Sequence, residues 1–157
     1  MKYRICLVAI TATVIASFAI ARDIEQRFTY HFGKRAALEL DCDKIRAAPK
    51  WDGKSANPPV SAKRAIEKAD SVKIRLLKNN DDWFWQLESA SLRPLDPGNP
   101  DNELNDNCWY WLITYEAYPT GGATGPPPQL EVAVLMDGTL VSPTITENKA
   151  VRFGSDR

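Results

Sequence analysis

Histidine is almost missing from this chain: His31 is the only one in 157 residues. An imidazole metal site or an acid–base triad would rest on that single ring. His31 sits between Tyr30 and Phe32 with no serine or cysteine close in sequence, so it reads first as a structural or surface residue. Cysteine is scarce as well, at three positions, and no charge sign dominates, with 20 basic and 20 acidic residues. Such a balance leaves no electrostatic footprint for nucleic acid, and no basic block marks an anionic membrane surface. Long apolar runs are also absent, with one exception at the very start.

That exception is Ile5 to Ile20, preceded by Lys2 and Arg4 and closed by Ala19-Ile20-Ala21. A positive start, an apolar middle and a small-x-small end are what a signal peptidase recognises. The run is about 16 residues long, short of the roughly 20 that span a bilayer as a helix. Residues 1–21 are therefore expected to be a cleavable export signal, which leaves no stable membrane anchor and places the mature chain in the periplasm or outside the cell. The 136 residues from Arg22 onward are enough for one domain with its own core. Cys6 leaves with the signal, so an oxidising compartment allows one disulfide, Cys42–Cys108. It would close a loop of about 65 residues and contribute on the order of 3–4 kcal/mol in the chain-entropy account. Two buried thiols are the alternative.

Residues 22–60 read as an irregular lead-in. Phe28, Tyr30 and Phe32 alternate as on a strand, while Ile24, Phe28 and Phe32 equally fit a helix face. Pro49, Gly53, Pro58 and Pro59 then interrupt regular structure, with Trp51 expected as a cap on the core. Ser61 is a good N-cap, and Ala62, Ala65, Ile66, Ala69, Val72 and Leu76 recur at helical spacing. The pattern predicts a helix over 61–77, in preference to a shorter helix ending near Lys68 with a strand at Val72, Ile74 and Leu76.

Four strands are expected after it. Trp83, Trp85 and Leu87 alternate up to Pro94; Trp109, Trp111, Ile113 and Tyr115 do so up to Pro119; Leu130, Val132, Val134 and Met136 form the cleanest apolar face. Asp137-Gly138 supplies residues for a type I′ turn, and Val141 to Thr146 returns as an edge strand, because Pro143 cannot donate to a ladder. The expected fold is α+β: one main amphipathic helix packed on a four-stranded antiparallel meander, over 61–148, with a polar tail at 149–157. The sheet face away from the helix is mixed, so either residues 22–60 cover it or a partner does.

A helix opening Pro59-Val60-Ser61-Ala62, aromatic strands, and a hairpin at Met136-Asp137-Gly138-Thr139 together resemble the PepSY-type and cystatin-like α+β modules of small exported bacterial proteins. The resemblance spans residues 58–146. It implies a two-layer fold and, for PepSY modules, binding or restraint of peptidases; cystatin-like folds host inhibitors, scaffolds and enzymes alike. It carries over no functional residue.

Catalytic and metal signals are thin. Asp41 and Asp43 are spaced as glycosidic or calcium chemistry could use, yet they flank Cys42 and read first as solvated. Cys108 is a poor nucleophile in a compartment that oxidises thiols. Asp96, Asp101, Glu103, Asn105 and Asn107 gather oxygen ligands, but the loop lacks the glycine and closing glutamate of a calcium loop. No catalytic residue, cofactor or metal is expected. The loop 120–129, with Gly121, Gly122 and Gly125 before Pro126, Pro127 and Pro128, combines mobility with an extended proline segment. The leading expectation is a non-enzymatic module for a protein or peptide partner, acting as an inhibitor or accessory, with Phe84, Tyr110 and Pro126–Pro128 as its contact surface. Two alternatives stand beside it: a small extracytoplasmic hydrolase or carbohydrate-active enzyme built on His31 or Asp41/Asp43, and a self-associating envelope component.

Overall fold

The computed structural model describes residues 24–31, 33–77, 83–95, 107–121 and 125–147, with the side chains of Tyr30 and His31 excepted. The expected export signal 1–21, the tail 149–157 and the oxygen-rich positions 96–106 lie outside the described residues. Among the described residues nine elements follow one another. They are β1 (Ile24–His31), β2 (Lys34–Asp41), α1 (Cys42–Ala47), α2 (Ala62–Leu76), β3 (Trp83–Pro94), β4 (Trp109–Pro119), β5 (Gln129–Leu135), β6 (Leu140–Val141) and β7 (Thr144–Glu147).

The strands form two antiparallel sheets, one of three strands in the order β1-β2-β7 and one of four in the order β3-β4-β5-β6. The expectation of a single main helix on a single four-stranded sheet is thus corrected. The described residues are mostly β, and the helices among them are only 6 and 15 residues long. The correction comes from residues 24–47, which form two strands and a short helix where an irregular lead-in was expected, while 48–60 hold neither helix nor strand. Residues 24–47 open with a hairpin whose register runs from Ile24 opposite Asp41 to His31 opposite Lys34, reversing at Gly33, where φ is 73°.

The physical reason the hairpin escaped notice is an inverted β1. Cross-strand partners share a face, and Glu25, Arg27 and Thr29 stand opposite Leu40, Leu38 and Ala36, the three buried positions of β2. The inner side of β1 is therefore charged and polar, while Ile24 and Phe28 face outward and stay exposed. Hydrophobic alternation points the wrong way when a strand carries a polar network inward.

The four-stranded sheet lies in the middle of the molecule. Its register pairs Trp111 with Val134, Ile113 with Val132 and Tyr115 with Leu130, so these six residues share one face. Helix α2 covers that face with buried Ala65, Ala69 and Val72. Ser61 caps the helix, accepting from Arg64 N at 3.3 Å, and the Trp111 indole donates to Val60 O at 2.8 Å, fixing where the helix enters. The other face carries Tyr110, Leu112, Ala133 and Leu135, all buried. Here β1 and β2 lie against β5, with Ala36, Leu38 and Leu40 in the same core. Removing each Leu or Ile of this core from water contributes about 1.5–3 kcal/mol.

One turn and one strand also differ from expectation. Among the described residues only Asn107 combines a side chain with positive φ, so Asp137 is not left-handed and the β5–β6 turn is not type I′. Gly138 N donates to Leu135 O at 2.8 Å and Leu135 N donates to Thr139 O at 2.9 Å, with Gly138 at φ 84°. That is a three-residue loop closing through a left-handed glycine. The expected last strand is split at Pro143. Its first part, β6, pairs with β5; its second, β7, crosses to pair with β2 from Lys34–Glu147 to Ala37–Thr144.

Candidate functional site

Sheet register decides which expected contact residues can meet a partner. Tyr110 cannot. It lies opposite Leu135 on the face that β1 and β2 cover, and only 2% of it is exposed. Its hydroxyl donates to Glu25 Oε1 at 3.3 Å, and burial first, then the Glu25 charge, pushes its pKa up. Arg27 completes this inter-sheet cluster with a two-point contact to Glu131, Nε to Oε2 at 2.9 Å and Nη2 to Oε1 at 3.0 Å. The hydrogen bond to Glu131 raises the guanidinium pKa further. Sequence alternation gave Tyr110 the right face but could not tell that the hairpin occupies it.

The far end of the same face is open. Phe84, opposite Tyr118 in the β3–β4 register, is 49% exposed. The two rings stack with centroids 5.9 Å apart and planes inclined by 26°, a favourable offset arrangement. Beside the stack, on the same sheet face, Glu116 is only 9% exposed. The Tyr118 hydroxyl donates to its Oε2 at 2.6 Å and Gln129 Nε2 donates to its Oε1 at 2.7 Å. Both carboxylate oxygens are thus occupied, and the bond to Glu116 holds the Tyr118 hydroxyl above its ordinary pKa. The stack is thus hydrogen-bonded into the sheet through Glu116 and presents an aromatic surface.

The proline loop borders this platform. Ala117 N donates to Pro128 O at 2.9 Å, extending the β4–β5 ladder by one step past Glu116–Gln129. Pro126 is exposed, while Pro127 and Pro128 are half-buried. Of the expected contact set, Phe84 and Pro126–Pro128 are brought to one end of the sheet, and Tyr110 is not. Glu116, Tyr118 and Gln129 were missed. The signal for them was available, since Tyr118 and Glu116 share the parity of Tyr110 on β4, but polar residues on a strand normally read as solvated.

Along the outer side of this end runs β3, the terminal strand of its sheet, with a register shift between Leu87 and Ser89. Leu87 is exposed at 41%. An edge strand offers backbone N–H and C=O groups to an incoming strand.

The remaining candidates do not assemble. Asp41 Oδ1 caps α1, accepting from Asp43 N at 3.1 Å and Lys44 N at 3.3 Å, whereas Asp43 is exposed and meets Arg46 at 3.2 Å. A helix cap explains that pair of carboxylates. His31 closes β1. Among the described residues no group of three or more His, Cys, Asp or Glu could hold a metal ion. Cys42 and Cys108 are buried thiols here, and the bridge considered between them is not formed in this structure. No helix of the described residues is long and apolar enough to cross a membrane. Against known proteins, the chain matches no family model and has no significant match among curated proteins or solved structures, so nothing there bears on the PepSY-type or cystatin-like resemblance.

Proposed function

We propose that the protein is an exported, non-enzymatic module that binds a protein or peptide partner at the open end of its four-stranded sheet. The observation that carries this reading is the Phe84–Tyr118 stack, left half in solvent beside the β3 edge and the Pro126–Pro128 loop. Aromatic side chains on a fixed base give large contact area at small entropic cost. The neighbouring edge strand supplies the main-chain hydrogen bonds that a bound extended segment needs. Export rests on the sequence of residues 1–21. Because Tyr110 is sealed beneath β1, the contact surface consists of Phe84, Tyr118, Pro126, Pro127 and Pro128.

The test places a photo-crosslinking phenylalanine analogue at Phe84 and, as a control, at Ile74, which is more exposed still at 75% but lies on α2. In cells exporting the protein, Phe84 should yield discrete adducts that Ile74 does not. No adducts, or the same ones from both positions, would remove the proposal.

A further inference from the structure

Lys50 and Cys108 approach each other more closely than hydrogen bonds to sulfur usually bring their partners. Lys50 Nζ lies 2.8 Å from Cys108 Sγ. Bonds from N–H to oxygen span roughly 2.7–3.2 Å, and sulfur is the larger atom, so its hydrogen bonds are longer. The separation falls instead where a single oxygen atom bonded to both would hold them.

The approach is built into the backbone on both sides. Trp51 N donates to Asn107 O at 3.0 Å, and the Trp51 and Trp109 rings meet edge to face at 5.6 Å. The Cys108 carbonyl accepts from Leu95 N at 2.9 Å, and Cys108 itself is 5% exposed. Residues flanking Lys50 and Cys108 are thus tied to one another, and Asn107 adopts φ 53° to bring the thiol round. Lys50 belongs to an exposed stretch and could leave its ammonium in water; it bends onto a buried sulfur.

We infer that Lys50 and Cys108 form an oxidant-dependent nitrogen–oxygen–sulfur bridge. With dioxygen as oxidant the change balances as ammonium plus thiol plus O2 giving the N–O–S link, one water and one proton. The N–O and O–S bonds form; two N–H bonds, the S–H bond and the O–O bond break. Nitrogen and sulfur each give up two electrons, and the four electrons reduce O2 to the bridging oxygen and the water. The bridge would pin the segment after α1 to the start of β4, and a thiol reductant would return both side chains.

The experiment is high-resolution mass spectrometry of the full chain kept in air, before and after dithiothreitol. The expected species is heavier than the reduced protein by one oxygen less two hydrogens, reverts with dithiothreitol, and yields a proteolytic fragment joining the Lys50 and Cys108 peptides. It should persist in Cys42→Ser and vanish in Lys50→Arg, an exchange at an exposed position that leaves the fold intact. Air-exposed protein showing unmodified side chains, a Cys42–Cys108 cystine, or Cys108 oxidised with Lys50 unlinked would overturn the inference, as would a shift of the same mass that survives in Lys50→Arg.

Discussion

One face of the four-stranded sheet is finished in two ways. At the Tyr110–Leu135 end a second sheet closes over it, and nearly every side chain is buried. At the Phe84–Tyr118 end it stops at an aromatic stack in half-contact with solvent. Both ends carry a carboxylate near a tyrosine, Glu25 with Tyr110 and Glu116 with Tyr118. At the covered end the polar groups join two sheets through Arg27 and Glu131; at the open end they brace a surface. Similar chemistry therefore fixes a sheet interface in one place and presents a platform in the other, and what differs is only the layer above.

Substitutions can break this comparison. The largest effect is expected from Leu38→Ala, which empties a fully enclosed position between the sheets. It should destabilise the fold by about 3 kcal/mol in urea unfolding, and a loss below about 1 kcal/mol would mean that the hairpin does not seal that end. Next is an alkaline effect at Tyr110. Its folded pKa is raised by burial, so the unfolded chain ionises first, near pH of about 10. The stability this tyrosine contributes is complete below that pH and is lost as the pH climbs toward the folded value. Tyr110→Phe should flatten the alkaline fall in unfolding free energy by about 1.4 kcal/mol per pH unit; an unchanged slope would place the hydroxyl in water. The smallest effect belongs to Phe84→Ala, which should shift the unfolding midpoint by no more than about 0.5 kcal/mol while abolishing partner capture. A large loss of stability there would make the stack a core element and not a contact surface.

The two regions also differ in how far the chain announces them. Helix α2 and strands β3, β4 and β5 fall close to where periodicity puts them, because α2 sets one apolar stripe on the core and the strands alternate between two fixed faces. The β1–β2 hairpin was hidden by Glu25 and Arg27 facing inward, where Glu131 and Tyr110, more than eighty positions away, supply their hydrogen-bond partners. No local pattern encodes such a rescue. The division of the last strand between two sheets follows from Pro143 interrupting the ladder, yet proline tells where pairing stops and not where it resumes. At the site, Phe84 stands out as an aromatic of the outward parity, whereas the exposure assigned to Tyr110 failed because alternation reports parity alone. The Glu116 brace needs the β4–β5 register, which places Gln129 beside it.

The pairing of β2 with β7 has a consequence in time. Lys34 must wait for Glu147 before its rungs can form, and contacts so distant along a chain form slowly. Whether the polypeptide emerges from a ribosome or is threaded through a membrane pore, helix and meander can assemble early. The small sheet can be completed only once β7 arrives, and until then the edge of β2 that faces away from β1 lacks its ladder partner.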